Sequence, residues 1–329
     1  MKAIRIQKTG GPDVLEYVEV ENPRTETGQV VVRTESISVN YADVMVREGL
    51  YPVMPPLPAV LGLEGSGVVE DVGPGVTGVR IGQRVSFIAQ GSYAEKVAVD
   101  SASLIPLPDD INFDSAAAFP VIYLTAYHLL HTVGHIRDGG WVLLHAAVGG
   151  VGTAVIQLGK IAGTKLIGLT SSREKAARAR ELGIEQVFTY DDPNLVQRVL
   201  EASDGKGVDL VLDSVAGPNF SRNFEMLAPM GQVAWFGFAG GLPPDGLLQS
   251  FGQNFVKGVG LRTFHLIYSL SAPYPEIFGR SLGTLTSYLR EKKIEPVIAA
   301  RIPLSEAARA HQLLESRKTV GKVILKPGT

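Results

Sequence analysis

The chain has 329 residues, 45% of them hydrophobic and 19% charged, a net charge of −2 and no cysteine. That length predicts two domains, and the near-neutral charge gives no electrostatic reason to expect nucleic acid or an anionic membrane as partner. Without cysteine there are no disulfides and no cysteine-ligated zinc sites, which fits a cytoplasmic protein.

The opening stretch, MKAIRIQKTGG, alternates like a strand and lacks the apolar centre of a signal peptide. No apolar run approaches the roughly 18 residues that a membrane-spanning helix needs. Up to about residue 118 the pattern is short strands punctuated by glycine and proline. VVVRTESISVN, SGVVEDVG, QRVSFI and AEKVAV read as strands, with turns at GPDV, VGPGVTG and LPDD. This predicts a β-rich, barrel-like unit. PLPDDINFDSAAA reads as a loop with an acidic cap on a helix start. Asp43 and Arg47, four residues apart, are expected to pair on one helical turn. His128, His131 and His135 share a spacing that could suggest a metal, but no carboxylate accompanies them.

From about residue 140 strands and helices alternate. WVLLHAA, KLIGLTS, QVFTY, VDLVLDSV, QVAWFGF and VGLRTFHL are predicted strands, with REKAARAREL, NLVQRVLEAS and NFSRNFEML as helices between them. Strands spaced in this way require crossover helices and therefore a parallel, doubly wound α/β sheet. After about residue 267 come a helix (PEIFGRSLGTLTSYLREKK), a strand, a second helix (SEAARAHQLLES) and a last strand, GKVILKP. Because this tail does not repeat the strand–helix unit, it is assigned back to the first domain.

The most informative stretch is LLHAAVGGVGTAVIQLGK, in which an apolar strand meets three glycines and then an amphipathic helix. A helix beginning there offers unpaired amide N–H groups and a partial positive charge, and glycine lets a pyrophosphate approach the backbone. Ala147, Gly149 and Gly152 occupy the positions of a G-x-G-x-x-G pattern, with alanine in the first, and Gly150 and Val151 complete the turn. A dinucleotide site that takes NAD usually ends its second strand, about 20 residues on, with an acidic residue that grips the ribose hydroxyls. Here that strand ends in Thr170, Ser171 and Ser172, followed by Arg173, Glu174 and Lys175. Hydroxyls and a nearby cation suit a 2′-phosphate, which a carboxylate would repel. The expected cofactor is NADPH, with Ser171 and Lys175 at the phosphate.

These features together resemble the zinc-free, zeta-crystallin-like quinone oxidoreductase branch of the medium-chain dehydrogenase/reductase superfamily. The resemblance runs nearly end to end. It rests on Asn40-Tyr41-Ala42-Asp43 with Arg47, Gly49 and Tyr51, on GLEGSGVVEDVGPGVTGVRIGQRV, AAAFPVIYLTAYHLL and HAAVGGVG, and on LDSVAG and LLESRKTVGKVILKPG. One departure is Gln83, where the family commonly has Asp. The resemblance implies a GroES-like catalytic domain over residues 1–120 and 265–329, a Rossmann NADPH-binding domain over 121–264, and an active site in the cleft. It also implies hydride transfer from NADPH to quinones or other conjugated carbonyls, usually by a homodimer. Zinc-dependent relatives carry a ligating cysteine where this chain has Asn40 and a histidine where it has Leu63, so no catalytic zinc of that type is expected.

Asn40 and Tyr51 carry over as the polar groups that would polarise the acceptor, together with an ordered water, and Asn40 also borders the cofactor. On residue type alone, Asn40 could instead cap a strand end, and Tyr51 could be apolar wall. By family position Thr125 and Tyr190 line the cofactor groove, Tyr190 near the adenosine end. Gly237 and Phe238 approach the nicotinamide, Phe264 and His265 lie at the rim, and Met45, Tyr51, Phe238 and Phe264 form a flat apolar pocket. The sixth Rossmann strand, VGLRTFHL, would leave an apolar edge exposed, which pairing in a homodimer would close. Two alternatives stand beside quinone reduction: reduction of 2-enoyl thioesters or enones with the same hydride geometry, and NADPH binding with a non-catalytic role.

Overall fold

The computed structural model describes residues 1–328. They divide into two units, one comprising Met1–Val121 and the residues from Glu295 onward, the other Ile122–Ile294.

The first unit is built around the strand Gln29–Val39, whose run of valines and isoleucines is buried along almost its whole length. It pairs antiparallel with Glu64–Val72, Lys96–Asp100 and Lys322–Lys326, which makes it the centre of a seven-stranded sheet. A smaller three-stranded sheet joins Glu16–Glu19, Lys2–Ile6 and Ala59–Val60. Ile4, Ile6, Ile37, Val39, Val323 and Leu325 fill one core cluster, and Ala307 and Ala310 of the helix Ala307–Glu315 enter it. Fully burying one such aliphatic side chain contributes about 1.5–3 kcal/mol. The helix Phe113–Ala118 is capped by Asn112, whose side chain accepts the Ser115 N–H, and not by an acidic residue. Its Asp114 instead meets Arg301, Lys326 and the Ser36 hydroxyl.

The second unit carries a six-stranded parallel sheet in the order Gln186–Thr189, Lys165–Thr170, Trp141–Leu144, Val208–Asp213, Leu227–Trp235, Gly260–Thr263. Helices cross over between the strands, so the central ones are apolar on both faces; Val142, Leu143 and Leu144 are all fully buried. This is the doubly wound α/β architecture that the strand–helix rhythm predicts. The strand order reverses beside Trp141–Leu144, which places the crevice for a ligand at its carboxyl end.

One boundary differs from expectation. Residues 265–294 belong to the second unit and not to the first. The helix Pro275–Arg290 buries Leu285 and Leu289, and its Ser281 hydroxyl lies 2.8 Å from His128 Nε2. An amphipathic helix needs a face to cover, and this one covers its own unit although no parallel strand follows it. The chain returns to the first unit at Glu295, and the strand Ile298–Pro303 then pairs parallel with Lys322–Lys326.

Candidate active site and dinucleotide site

In the first unit, strand register brings three polar side chains together. Val323 pairs with Val39, so Lys322 sits beside Asn40 one step further on, and Glu64 pairs with Ser38. Residues two apart on a strand share a face, hence Lys322, Asn40 and Glu64 converge. The Asn40 Nδ2 donates to Glu64 Oε1 at 3.0 Å, and its Oδ1 accepts from Lys322 Nζ at 2.6 Å. Lys322 Nζ is also 3.2 Å from Glu64 Oε1, and Glu64 Oε2 accepts the Val121 N–H at 2.8 Å. Asn40, Glu64 and Lys322 are 7%, 0% and 4% exposed, so the carboxylate and ammonium face each other away from water. Glu64 thus takes one of the two amide hydrogens of the Asn40 carboxamide, and among the described residues no partner takes the other.

Asn40 also opens the helix Tyr41–Glu48, and its own N–H donates to Asp43 Oδ2 at 2.8 Å. From Asp43 a buried polar chain continues inward. Tyr93 donates its hydroxyl to Asp43 Oδ2 at 3.0 Å, and the Tyr93 oxygen lies 3.1 Å from His311 Nε2. His311 Nδ1 faces Arg47 at 3.5 Å, and Arg47 donates twice to Glu315, at 2.9 and 2.8 Å, and once to Glu48. Since a guanidinium only donates, His311 must accept at Nδ1 and carry its proton on Nε2. Burial and the neighbouring Arg47 push the His311 pKa down to about 3, which keeps the ring neutral. Burial pushes Asp43 up to about 6 against the hydrogen bonds from Asn40 and Tyr93, and burial with the Asp43 carboxylate holds the Tyr93 phenol well above its usual value. Asp43 and Arg47 thus do not pair with each other as expected: Asp43 serves Asn40 and Tyr93, whereas Arg47 reaches a helix more than 260 positions along the chain.

Tyr51 is half-buried in the irregular segment after that helix, which ends at Gly49 in the left-handed conformation with φ 77°. Met45 is buried in the same helix.

In the second unit the strand Trp141–Leu144 leads through Gly149 into the helix Gly150–Ile161. The first helical bond runs from the Thr153 N–H to the Gly149 carbonyl, so the amides of Gly150, Val151 and Gly152 have no partner within the helix. A Cβ on Gly152 would lie 2.5 Å from the carbonyl oxygens of both Ala146 and Ala147, which only glycine avoids. Ala147 contributes differently from the glycines: it is fully buried, and its N–H is already given to the Leu169 carbonyl. The residues present fit a pyrophosphate at this turn.

Thr170 pairs with Thr189 on adjacent parallel strands, so Ser171 and Tyr190 emerge side by side at the carboxyl end of the sheet. Lys175 follows in the first turn of the helix Arg173–Glu181, where Ser172 caps its N–H. Glu174 is exposed, and a hydrogen bond from Ser172 holds its carboxyl below the usual range. The Tyr190 hydroxyl accepts the Ala146 N–H at 2.8 Å, so this residue also props the glycine turn. Gly237 and Phe238 follow the strand Leu227–Trp235; a Cβ on Gly237 would meet the Ser214 carbonyl at 2.8 Å. Phe264 is 8% exposed and its ring lies 6.4 Å from that of His128, while Thr125 is buried on the helix Pro120–His128. His265 accepts the Tyr268 N–H. Both ring nitrogens of His128 are engaged, by Thr132 and Ser281.

Glu64, Tyr93, His311, Glu315 and Lys322 had no role on sequence grounds. For Glu64 and Lys322 the one signal is a charged residue inside an apolar strand, in GLEGSGVV and GKVILK, which becomes meaningful only with the register; Tyr93, His311 and Glu315 carry no local signal.

Residues 26–109 match the alcohol dehydrogenase GroES-like domain family, and residues 182–325 match the zinc-binding dehydrogenase family. A quinone oxidoreductase of Pseudomonas aeruginosa is 37% identical over 99% of both chains. A 2-haloacrylate reductase of a Burkholderia species is 33% identical over 98% of both. The structure of Escherichia coli quinone oxidoreductase in complex with NADPH aligns with a TM-score of 0.93 at 33% identity, covering 99% of this chain and 100% of that one. A GroES-like unit and a Rossmann unit on one chain define a medium-chain dehydrogenase/reductase. Within that superfamily the chain belongs to the quinone oxidoreductase branch.

The zinc in the second family's description does not fit these residues. Leu63 cannot ligate a metal, the chain has no cysteine, and a buried ammonium already occupies the side of Asn40 that would face a cation. Elemental analysis of the purified protein should therefore find far less than one tightly held zinc per chain; a stoichiometric amount would overturn this.

The raised pKa of Asp43 has a measurable sign. Between about pH 4 and 6 the folded protein holds a proton on Asp43 that the unfolded chain has released, so this group's contribution to stability falls as pH rises. Asp43→Asn removes that dependence. In urea unfolding the substitution should be less costly at pH 7 than at pH 4, by up to about 3 kcal/mol. An equal cost at both pH values would show that Asp43 titrates normally.

Proposed function

We propose that this protein is an NADPH-dependent quinone reductase that transfers hydride to quinones or related conjugated carbonyls without zinc. The observation that carries the reading is the state of Asn40: a buried carboxamide with one amide hydrogen left to donate, in a chain related over its full length to proteins named quinone oxidoreductases. NADPH, when bound, supplies a hydride, and with one proton a quinone becomes a hydroquinone. The chain's own residues have to hold the cofactor, orient the acceptor and stabilise charge arriving on its oxygen. A quinone or enone spreads that charge through its conjugated system, so one or two hydrogen bonds suffice where an unactivated carbonyl would need a metal. Asn40 and Tyr51 are the proposed donors. The relationship to a 2-haloacrylate reductase supports a second reading, reduction of an activated carbon–carbon double bond.

In the second unit the amides of Gly150, Val151 and Gly152 are proposed to hold the pyrophosphate, with Ser171, Lys175 and Tyr190 at the 2′-phosphate. Thr125, Gly237, Phe238 and Phe264 would line the rest of the cofactor site. The placement of Ser171 beside Tyr190, with Glu174 turned to solvent, supports NADPH over NADH. A homodimer through the sixth strand is also proposed. Gly260–Thr263 lies at the edge of the sheet, and Phe255 and Val256 just before it are 82% and 94% exposed, a surface that a second copy would cover.

Four measurements test this reading. Losing one charge-assisted contact costs about 1.5–3 kcal/mol, so Lys175→Ala should weaken NADPH roughly 10- to 100-fold and leave NADH nearly unchanged; equal loss for both would remove Lys175 from the phosphate. Light scattering at micromolar concentration should give twice the chain mass, and a monomeric mass would exclude the dimer. With NADPH and a 1,4-quinone, Asn40→Ala should lower turnover by roughly 10- to 1000-fold, in the range of a lost oxyanion donor. Robust oxidation of simple alcohols with no quinone or enone activity would defeat the metal-free reading.

A further inference from the structure

We infer that Lys322 and Glu64 lock the Asn40 carboxamide in one of its two rotations, so that a single, fixed N–H is presented to the acceptor; the inference rests on Asn40 being the donor proposed above. An asparagine amide is nearly symmetric in shape and reverses its donor and acceptor sides on a half-turn about its last bond. An ammonium can only donate and a carboxylate can only accept. Lys322 Nζ at 2.6 Å therefore requires the carbonyl on its side, and Glu64 Oε1 at 3.0 Å requires the NH2 on the other. A half-turn would set N–H against ammonium and carbonyl against carboxylate. With Glu64 0% and Lys322 4% exposed, water cannot relieve either contact.

The lock is itself held. Glu64 is fixed from behind by the Val121 N–H, and the Asn40 backbone is fixed by Asp43. Lys322 also pulls electron density toward the Asn40 carbonyl, which strengthens the remaining N–H as a donor. A donor oriented before the acceptor arrives needs no reorganisation during hydride transfer. Lys322 and Glu64 are thus positioning residues, acting through Asn40 and not on the acceptor directly.

The experiment compares Lys322→Met, Asn40→Ala and the double variant, with NADPH and 1,4-benzoquinone as substrates. Readouts are kcat, the NADPH dissociation constant from nicotinamide fluorescence, and the melting temperature. Lys322→Met should lower kcat by roughly 10-fold or more, leave the NADPH constant within about two-fold, and add nothing further in the Asn40→Ala background. A wild-type kcat in folded Lys322→Met, or a loss that multiplies that of Asn40→Ala, overturns the lock. Unchanged kcat in Asn40→Ala overturns the donor assignment, and the lock with it. If the unpaired Glu64 prevents Lys322→Met from folding, Lys322→Met with Glu64→Leu removes both charges; low kcat in that variant supports the lock and wild-type kcat overturns it.

Discussion

The first unit depends on one buried ion pair. Removing an ammonium and a carboxylate from water costs several kcal/mol each, and their mutual attraction offsets this only when the remaining hydrogen-bonding positions are filled. At Lys322 and Glu64 most of them are filled, by the two ends of the Asn40 carboxamide and by the Val121 amide. Apolar residues could stabilise this strand junction equally well. What they could not do is impose a direction on a polar group between them, and that direction is what the pair contributes.

A second polar chain, from Asp43 through Tyr93 and His311 to Arg47 and Glu315, approaches the same residue from the helix side. Each member has its donor or acceptor role set by its neighbour, and the chain ends on Glu315, which is partly exposed. The second unit achieves a comparable fixity with backbone alone. Its glycine turn is close-packed against the carbonyls of Ala146 and Ala147, and Tyr190 braces it through the Ala146 amide. One unit fixes side chains by charge and the other fixes amides by packing.

Local patterns in the sequence carried the second unit almost completely. Its strands are continuous apolar runs, its turns are marked by glycine, and the residues of the dinucleotide turn are consecutive. The carboxyl-terminal boundary is not legible locally, because the helix Pro275–Arg290 is followed by no parallel strand, although Ser281 ties it to His128. In the first unit the strands and Asn40 were legible, whereas its partners were not. Glu64 and Lys322 become neighbours of Asn40 through antiparallel register between segments far apart in the chain, and local periodicity does not encode that. The i, i+4 spacing of Asp43 and Arg47 pointed to a pair; tertiary partners, Tyr93 for one and Glu315 for the other, outweighed it.

The pairing of Lys322 with Asn40 spans 282 positions, and the strand Lys322–Lys326 follows the whole second unit in the chain. During synthesis the whole second unit emerges before the first can close its sheet. Until Lys322–Lys326 leaves the ribosome, Glu64 lacks the Lys322 ammonium and the edge of Gln29–Val39 that this strand will occupy lacks its partner. The slow, long-range closure that high contact order entails falls on the unit holding Asn40. A nascent chain that stops short of Lys322 would have a complete dinucleotide turn and only Glu64 to orient the Asn40 carboxamide.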